Sequence, residues 1–257
     1  MHPNIISVSR REDIPGFDNR SEWFMQKLKE GKIDLSNFYQ SYEVSFDKTY
    51  FAVFWTKNPR PFMKHIKDLP FNYYFQYTLN DYPEYELRVP PLEERIQTFK
   101  DLSTEIGQEK VIWRFDPIIV NDDISEDEIV KRIKNIGDQI YQYTNKLVFS
   151  YIDPYKKLAK YFKEIDDRTK ISIAEKLIEL NKIWGLTLAT CAEVINLDGI
   201  EHNKCIDPVL IEQICGPNKW ITRKKDKAQR PVCGCIASAD IGTFKTCRHC
   251  CTYCYAS

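Results

Sequence analysis

The chain has 257 residues, 43% of them hydrophobic, which is enough apolar material for the core of one large domain. Its 37 basic residues balance its 37 acidic residues, so net charge gives no support for binding to nucleic acid or anionic lipid. No segment approaches the roughly 18 apolar residues that a membrane span needs, and the N-terminal residues lack the pattern of a secretion signal. We therefore expect a cytoplasmic protein without a membrane partner.

Short apolar runs alternate with amphipathic helical patterns through most of the chain. The strand patterns lie at residues 4–9, 50–55, 73–78, 111–115, 147–151 and 186–190, and the helical patterns at 23–28, 62–69, 92–106, 129–140 and 173–184. Ser125 is predicted to cap the fourth helix and Gly185 to end the fifth. Repeated strand–helix steps imply parallel pairing, which gives either a (β/α) barrel or a doubly wound open sheet.

Polar side chains follow the ends of these predicted strands. They are Ser9, Arg10, Arg11, Asp13, Thr56, Lys57, Gln76, Thr78, Arg114, Asp116, Asp153 and Cys191. Because the carboxyl ends of parallel strands meet at one edge of a sheet, we expect these side chains to line one pocket.

All nine cysteines lie at or after position 191, and none lies before it. Disulfides explain this poorly, because a chain without a secretion signal works in a reducing compartment and a core of this size needs no cross-links. Metal binding is the better explanation.

The last predicted strand, residues 240–244, leads to Cys247, Cys250, Cys251 and Cys254. Two interpretations of this motif compete. Cys247 with Cys250 and Cys251 with Cys254 have the spacing of two zinc half-sites, although zinc ribbons separate such pairs by a long loop. Alternatively, Cys247, Cys251 and Cys254 supply three thiolates to a cubane iron–sulfur cluster, which leaves one iron without a protein ligand.

The Cys-x3-Cys-x2-Cys spacing, with Tyr253 before the last cysteine and Tyr255 after it, resembles the cluster motif of the radical S-adenosylmethionine superfamily. It is closest to the branch of spore photoproduct lyase and photolyase-like proteins. The C-terminal region also resembles an uncharacterised family of unknown function that keeps this motif near its C-terminus. In the superfamily, the motif follows the first strand of a partial TIM barrel. The resemblance therefore implies an α/β fold, a partial (β/α) TIM-type barrel that is circularly permuted.

On this interpretation, residues 1–197 form the barrel repeats and residues 198–257 complete the same structural domain with the cluster-binding first strand. The resemblance implies that Cys247, Cys251 and Cys254 hold a 4Fe-4S cluster. It further implies reductive cleavage of S-adenosylmethionine to a 5′-deoxyadenosyl radical that acts on an unknown substrate, with ferredoxin or flavodoxin as the reductant.

The resemblance also assigns a cofactor-binding set. Tyr253 is expected near the adenine and residues 9–13 at the methionine end. Gln76, Thr78, Arg114 and Asp116 are expected to contact the ribose, the carboxylate or the substrate. The whole set is Tyr253, Ser9, Arg10, Arg11, Asp13, Thr56, Lys57, Gln76, Thr78, Arg114 and Asp116.

Four further thiols are expected near the same pocket. Cys191, Cys205, Cys233 and Cys235 are predicted to bind a second, auxiliary iron–sulfur cluster or a structural zinc ion. We expect Cys215 to be structural and Cys250 to face away from the motif. The alternative for the whole protein is a non-catalytic zinc-binding barrel protein with a structural cysteine knuckle.

Overall fold

The structure is a computed structural model that describes residues 5–36, 41–154, 158–217, 221, 223–254 and 256. Asn4, at the start of the first predicted strand, and Tyr255, in the C-terminal motif, lie outside the described residues.

Ten strands occur in the described part of the chain. They are β1 (Ile5–Val8), β2 (Lys32–Ser36), β3 (Ser41–Ser45), β4 (Phe51–Thr56), β5 (Asn72–Thr78), β6 (Val111–Ile118), β7 (Lys146–Tyr151), β8 (Thr187–Thr190), β9 (Glu201–His202) and β10 (Ala239–Asp240). Eight of them form one all-parallel sheet in the order β10-β1-β4-β5-β6-β7-β8-β9, while β2 and β3 form a separate antiparallel pair.

The described part of the chain also contains six α-helices, which lie between these strands in the sequence. They are α1 (Asp18–Glu30), α2 (Arg60–Met63), α3 (Leu92–Ile106), α4 (Glu126–Ile140), α5 (Asp167–Trp184) and α6 (Pro208–Cys215). As predicted, the Ser125 hydroxyl caps α4 by accepting a hydrogen bond from the Glu128 N–H at 3.2 Å. Gly185 ends α5 with a left-handed φ of 67°, a conformation that glycine adopts without steric cost.

The strand order separates the two architectures that the sequence left open. From β1 to β9 each new strand of the large sheet joins on the same side, whereas the strand order of a doubly wound sheet reverses at a switch point. This order is compatible with a partial barrel. At the other edge, β10 pairs in parallel with β1, with Ile6 opposite Ala239 and Ser7 opposite Asp240.

The two faces of the sheet bury different partners. Successive residues of β4 show the alternation, because Phe54 packs with side chains from the helices and Val53 belongs to a second apolar cluster on the other face. That second cluster includes Ile206, Ile211 and Ile236 from the C-terminal region. The segment after β9 therefore covers the face of the sheet that the large helices leave open.

The structure corrects two local predictions and shows three elements that the sequence analysis missed. The helical pattern at 62–69 is a single α-helical turn, α2, followed by a 3-10 turn at Ile66–Asp68. The hairpin of β2 and β3 was missed, as were β9 and the short helix α6, which the Asp207 carboxylate caps by accepting from the Val209 N–H. The strand predicted at 240–244 extends only over β10, because the chain turns away where the Asp240 carboxylate accepts the Gly242 N–H at 3.0 Å.

None of the helices in the described part of the chain is both long enough and apolar enough to cross a bilayer.

Candidate metal centre

A cavity of about 340 Å³ lies where the parallel strands end. Residues that follow β1, β4, β5, β6, β7 and β8 contribute to its wall, and so do both groups of cysteines. The lining includes Ser9, Arg10, Arg11, Asp13, Thr56, Lys57, Thr78, Arg114, Asp116, Asp153, Cys191, Cys205, Cys233, Cys235, Cys247, Tyr253 and Cys254. Gln76 is a member of the expected set that does not line this cavity. The structure thus brings together most of the polar residues that the sequence placed at the strand ends.

The C-terminal cysteine motif, Cys247, Cys251 and Cys254, forms one part of this wall. Cys247 and Cys254 line the cavity, and Cys251 lies beneath them with 5% of its surface exposed. Burial raises the pKa of the Cys247 thiol to about 11 and that of the Cys251 thiol to about 12, and the neighbouring thiols of the motif contribute to both shifts. Thiols in this environment become thiolates when a metal ion binds them, because coordination removes the proton.

Cys250 is oriented differently from these three cysteines. It is exposed, has a left-handed φ of 54° and does not line the cavity. Cys215, at the end of α6, also lies away from the cavity, where its thiol donates to the Ile211 carbonyl at 2.9 Å.

Glu12 holds the loop before the motif. Its buried carboxylate accepts two hydrogen bonds from the Arg20 guanidinium, at 2.8 and 3.0 Å, and further bonds from the Thr243 N–H at 3.0 Å and the Thr246 hydroxyl at 2.9 Å. Burying a carboxylate this deeply would be costly without such hydrogen-bond partners. Glu12 therefore joins the loop after β1 to the loop after β10.

Asp240 makes a second connection between the same two segments. Its carboxylate accepts hydrogen bonds from the Ser7 and Ser9 hydroxyls, at 3.1 and 2.8 Å, and from the Arg10 N–H at 3.0 Å. The Ser9 side chain lies so close to Gly242 that a Cβ atom at this position would be 1.7 Å from the Ser9 hydroxyl oxygen. The Ser9 hydroxyl is thus engaged in holding β10 beside β1.

Asp13 contacts the C-terminal cysteine motif through His249, which lies between Cys247 and Cys250. Its Oδ2 atom accepts a hydrogen bond from the Lys57 N–H at 2.7 Å and is 2.8 Å from His249 Nε2. The other oxygen, Oδ1, is buried but has no hydrogen-bond partner among the described residues. His249 itself is 1% exposed and stacks at a tilt on Phe17, with 4.6 Å between the ring centroids.

A buried polar network surrounds the Tyr253 hydroxyl. Lys57 Nζ donates to this hydroxyl at 2.8 Å and to Glu86 at 2.7 Å, and Asn80 donates to the hydroxyl at 3.0 Å. The Tyr253 hydroxyl donates to Glu86 in turn, and Arg95 pairs with the second oxygen of that carboxylate at 3.3 Å.

The two charged groups of this network stabilise each other. Burial alone disfavours the Glu86 carboxylate, but the cations of Lys57 and Arg95 outweigh it and hold the pKa of Glu86 below its ordinary value. Burial likewise disfavours the Lys57 ammonium, yet the Glu86 carboxylate raises the pKa of Lys57. The network keeps Tyr253 fixed between two cysteines of the motif.

A four-cysteine group, Cys191, Cys205, Cys233 and Cys235, forms another part of the cavity wall. The Cys191 and Cys205 sulfurs are 3.4 Å apart. Cys235 helps to lower the pKa of Cys205, and Cys205 and Cys233 help to raise that of Cys235. The four thiols therefore lie close enough to influence one another.

Arg114 approaches this group from β6. Its Nη1 donates to the Cys205 sulfur at 3.0 Å and to the Gln76 carbonyl oxygen at 3.2 Å, while Nη2 pairs with Asp116. Hydrogen bonds from the Cys191 and Cys235 thiols, together with the Arg114 guanidinium, hold the pKa of Cys205 well below its ordinary value. The hydrogen bond between the Cys191 and Cys205 thiols has the opposite effect on Cys191, because it raises the pKa of that thiol.

Other members of the expected set make local contacts at the cavity. The Thr56 hydroxyl accepts a hydrogen bond from the Asn58 N–H at 2.9 Å. The guanidinium groups of Arg10 and Arg11 lie over the rings of Trp55 and Phe244, at 5.3 and 5.1 Å from the centroids. Asp153, at the end of β7, pairs with Arg230 at 2.9 Å.

Sequence reasoning missed the side chains that hold the motif in place. Glu12 lies inside a segment that we had singled out, and His249 lies inside the cysteine spacing itself. Both positions were therefore visible as polar residues beside candidate ligands. Glu86 and Asn80 are different, because they lie in a polar loop whose approach to Lys57 only the folded chain shows.

Among the residues that the structure describes, no group of three or more His, Cys, Asp or Glu side chains is arranged around a point where a single metal ion would bind.

The fold and site together define an α/β protein with an all-parallel sheet and a cysteine-lined cavity at the C-terminal edge of that sheet. The chain belongs to the family described as Domain of unknown function (DUF1848), whose model matches residues 5–256. The expected membership of an uncharacterised family is thereby confirmed. No curated protein and no solved structure matches the chain significantly.

Proposed function

We propose that this protein is a radical S-adenosylmethionine enzyme whose 4Fe-4S cluster is held by Cys247, Cys251 and Cys254. The observation that carries the proposal is the position of these three thiols at the C-terminal edge of a parallel sheet, beside a cavity large enough for a small molecule. A volume of about 340 Å³ falls within the range of roughly 300–1,000 Å³ that is usual for ligand pockets.

Circular permutation explains why the motif comes last in the chain. Because β10 joins the sheet beside β1, on the side away from β4, it takes the place of a strand that precedes β1. In this proposal β10 is the first strand of a partial barrel, and the loop that follows it carries the cluster ligands. The contacts of Glu12 and Asp240 support it, since they fix that loop to the strand that follows it in space.

The chemistry of the donors fits the proposed group. Three thiols, one buried and two at the cavity wall, suit a cluster in which each thiolate binds a different iron, and this leaves the fourth iron open. Asp13 lines the same cavity, and its buried Oδ1 atom has no hydrogen-bond partner among the described residues. That oxygen offers an acceptor for the amino group of an S-adenosylmethionine molecule.

When bound, the cluster supplies the electron that cleaves S-adenosylmethionine to methionine and a 5′-deoxyadenosyl radical, which abstracts hydrogen from a substrate. The side chains of this chain position the reactants and exclude water. Tyr253 is held by Lys57, Asn80 and Glu86 and presents its ring to the cavity wall. Asp13 orients the methionine end, and Arg114 with Asp116 forms a charged pair at the substrate side.

The deciding experiment combines metal analysis with a cleavage assay. Protein purified without oxygen and reconstituted with iron and sulfide is expected to be brown, to contain acid-labile sulfide and, when reduced with dithionite, to form 5′-deoxyadenosine from S-adenosylmethionine. Cys251→Ala is expected to abolish this product.

Cys250→Ala is the matched control, because it removes an adjacent thiol that is exposed, whereas Cys251 is buried beside the other two cysteines of the motif, and we expect it to keep the activity. A colourless protein with stoichiometric zinc and no cleavage would overturn the proposal in favour of a structural cysteine knuckle.

A further inference from the structure

Cys191 and Cys205 lie in contact in the wall of the cavity, and the function proposed above uses neither of them. Their sulfur atoms are 3.4 Å apart, and both thiols are free. The sulfurs of a disulfide are about 2.05 Å apart, so an approach of roughly 1.4 Å would join this pair. The two thiols are therefore close enough to react with each other once one of them has been oxidised.

The backbone holds the two cysteines side by side. Cys191 directly follows β8, and its N–H donates to the Phe149 carbonyl of β7 at 2.7 Å. Asn203, two residues before Cys205, directly follows β9, and its N–H donates to the Thr190 carbonyl of β8 at 2.8 Å. Both cysteines thus lie just beyond paired strands of the same parallel sheet, so the fold itself places their thiols next to each other.

The surroundings of Cys205 suit a thiolate. The buried guanidinium of Arg114 donates to the Cys205 sulfur at 3.0 Å, and the Asn203 amide donates to the same sulfur at 3.3 Å. Hydrogen bonds from the neighbouring thiols and the charge of Arg114 lower the pKa of Cys205. The thiolate is the form of cysteine that attacks an oxidant. Cys205 is therefore the sulfur that reacts first, and Cys191 is the thiol beside it that completes a disulfide.

We propose that Cys191 and Cys205 are a redox-active pair, in which hydrogen peroxide oxidises Cys205 and Cys191 then closes a disulfide with it. In the first step the Cys205 sulfur attacks one peroxide oxygen, so that an S–O bond forms, the O–O bond breaks and the leaving hydroxide is protonated to water. In the second step the Cys191 sulfur attacks Cys205, an S–S bond forms and the S–O bond breaks. The leaving hydroxide takes the Cys191 proton as a second water, and two electrons have passed from the two sulfurs to the peroxide.

The position of the pair permits both the oxidation and its reversal. Hydrogen peroxide is small enough to reach Cys205, which lines the cavity although only 7% of its surface is exposed. A small thiol such as glutathione reopens the disulfide by attack on the more exposed Cys191 sulfur, because the stabilised Cys205 thiolate is the better leaving group. A second thiol then releases Cys191. In a reducing compartment such disulfides are transient and serve catalysis or redox sensing.

Peptide mapping of the full-length protein tests the pair directly, because trypsin cuts after Lys204 and separates Cys191 from Cys205. Cys191 then lies in the peptide 183–204, and Cys205 lies in the peptide 205–219. After treatment with stoichiometric hydrogen peroxide and alkylation of the remaining thiols, we expect these two peptides to be linked and to separate in dithiothreitol. Cys215→Ser is the matched control, because it removes the other thiol of peptide 205–219 and should keep the link.

The order of the two steps has its own test, in a background of Cys233→Ser and Cys235→Ser that should keep the link. Adding Cys191→Ser leaves Cys205 without a partner thiol, so peroxide should produce a sulfenic acid there that dimedone labels. Adding Cys205→Ser instead should give at least about tenfold less label at Cys191, whose thiol keeps its proton. Circular dichroism verifies the fold of each variant, and the wild-type peptide map decides the question alone if a variant does not fold.

The redox pair would be overturned if peptides 183–204 and 205–219 stayed unlinked after peroxide, or if 205–219 were linked to 228–245, which carries Cys233 and Cys235. Stoichiometric zinc or iron in the wild type that Cys191→Ser loses would also overturn it, because the thiols would then be metal ligands. The proposal does not depend on the function proposed above. Failure of that function would appear as absent 5′-deoxyadenosine and would leave the peptide map unchanged.

Discussion

The strand–helix repeats up to β8 and the segment after residue 198 are held together by different forces. In the repeats, large apolar side chains are fully buried between the sheet and the helices, as with Phe54, which stacks on Phe75 at 4.9 Å. The later segment has short regular elements, and carboxylates such as Glu12 and Asp240 bind its last part to β1. Apolar burial is not directional, whereas hydrogen bonds fix atoms in place. The first region therefore supplies stability, and the second supplies the precise position of the thiols.

The largest effect is expected in the apolar region. Phe54→Ala removes a ring that is fully buried among Phe24, Phe62 and Phe75, so the lost burial and the remaining cavity should lower the free energy of unfolding by about 3–5 kcal/mol. Denaturant titration of the apoprotein measures this change in the free energy of unfolding. Ile183→Ala, at a position that is 69% exposed, is the control and should change stability by less than about 0.5 kcal/mol. Equal effects of Phe54→Ala and Ile183→Ala would contradict the view that apolar burial in the strand–helix repeats supplies the stability.

A smaller and local effect is expected from Glu12→Gln. The amide cannot accept the full set of bonds from Arg20, Thr243 and Thr246, which should cost about 1–3 kcal/mol. Hydrogen exchange followed by mass spectrometry should show faster exchange in residues 243–254 and unchanged exchange in β4 and β5.

The matched control for this change is Glu43→Gln. Glu43 pairs with Lys32 in an exposed salt bridge, and such pairs contribute little. If Glu12→Gln instead accelerated exchange uniformly across the sheet, the carboxylate would be part of the general core and not an anchor of one loop.

Asp240→Asn should have a still smaller effect. The side chain keeps one acceptor oxygen, but its amide group replaces the oxygen that accepts the Arg10 N–H and the Ser7 hydroxyl, so we expect a loss of about 1 kcal/mol. On the function proposed above, the sharper readout is the iron content after anaerobic reconstitution, which should fall below that of the wild type, while Glu43→Gln should leave it unchanged. An unchanged iron content would show that Asp240 does not hold the cysteine motif in place.

The difference between the strand–helix repeats and the later segment also explains how much of the molecule could be predicted from its sequence. A buried strand such as β4 is a nearly continuous apolar run, and helices such as α4 carry a regular isoleucine stripe, so local pattern was sufficient. The hairpin of β2 and β3 was missed because its strands, Lys32–Ser36 and Ser41–Ser45, are short and contain several polar residues.

In the site, the cysteines were identifiable because their residue type and spacing carry chemical information. Their supports were not, because each contact joins residues that are distant in the sequence. His249 and Asp13 are separated by 236 positions, and Arg114 and Cys205 by 91. No periodicity links such pairs, so only the folded chain reveals them.

The pairing of β10 with β1 also determines the order in which the protein can be completed. A ribosome makes β1 first, and domains fold progressively as they emerge. The edge of β1 that β10 later covers, through Ile6 and Ser7, therefore stays open until almost all of the described chain has been synthesised. Open strand edges invite pairing with other chains, so this interval is when the nascent protein is most exposed to aggregation. The C-terminal cysteine motif can therefore reach its place at the sheet only after β10 has paired with β1.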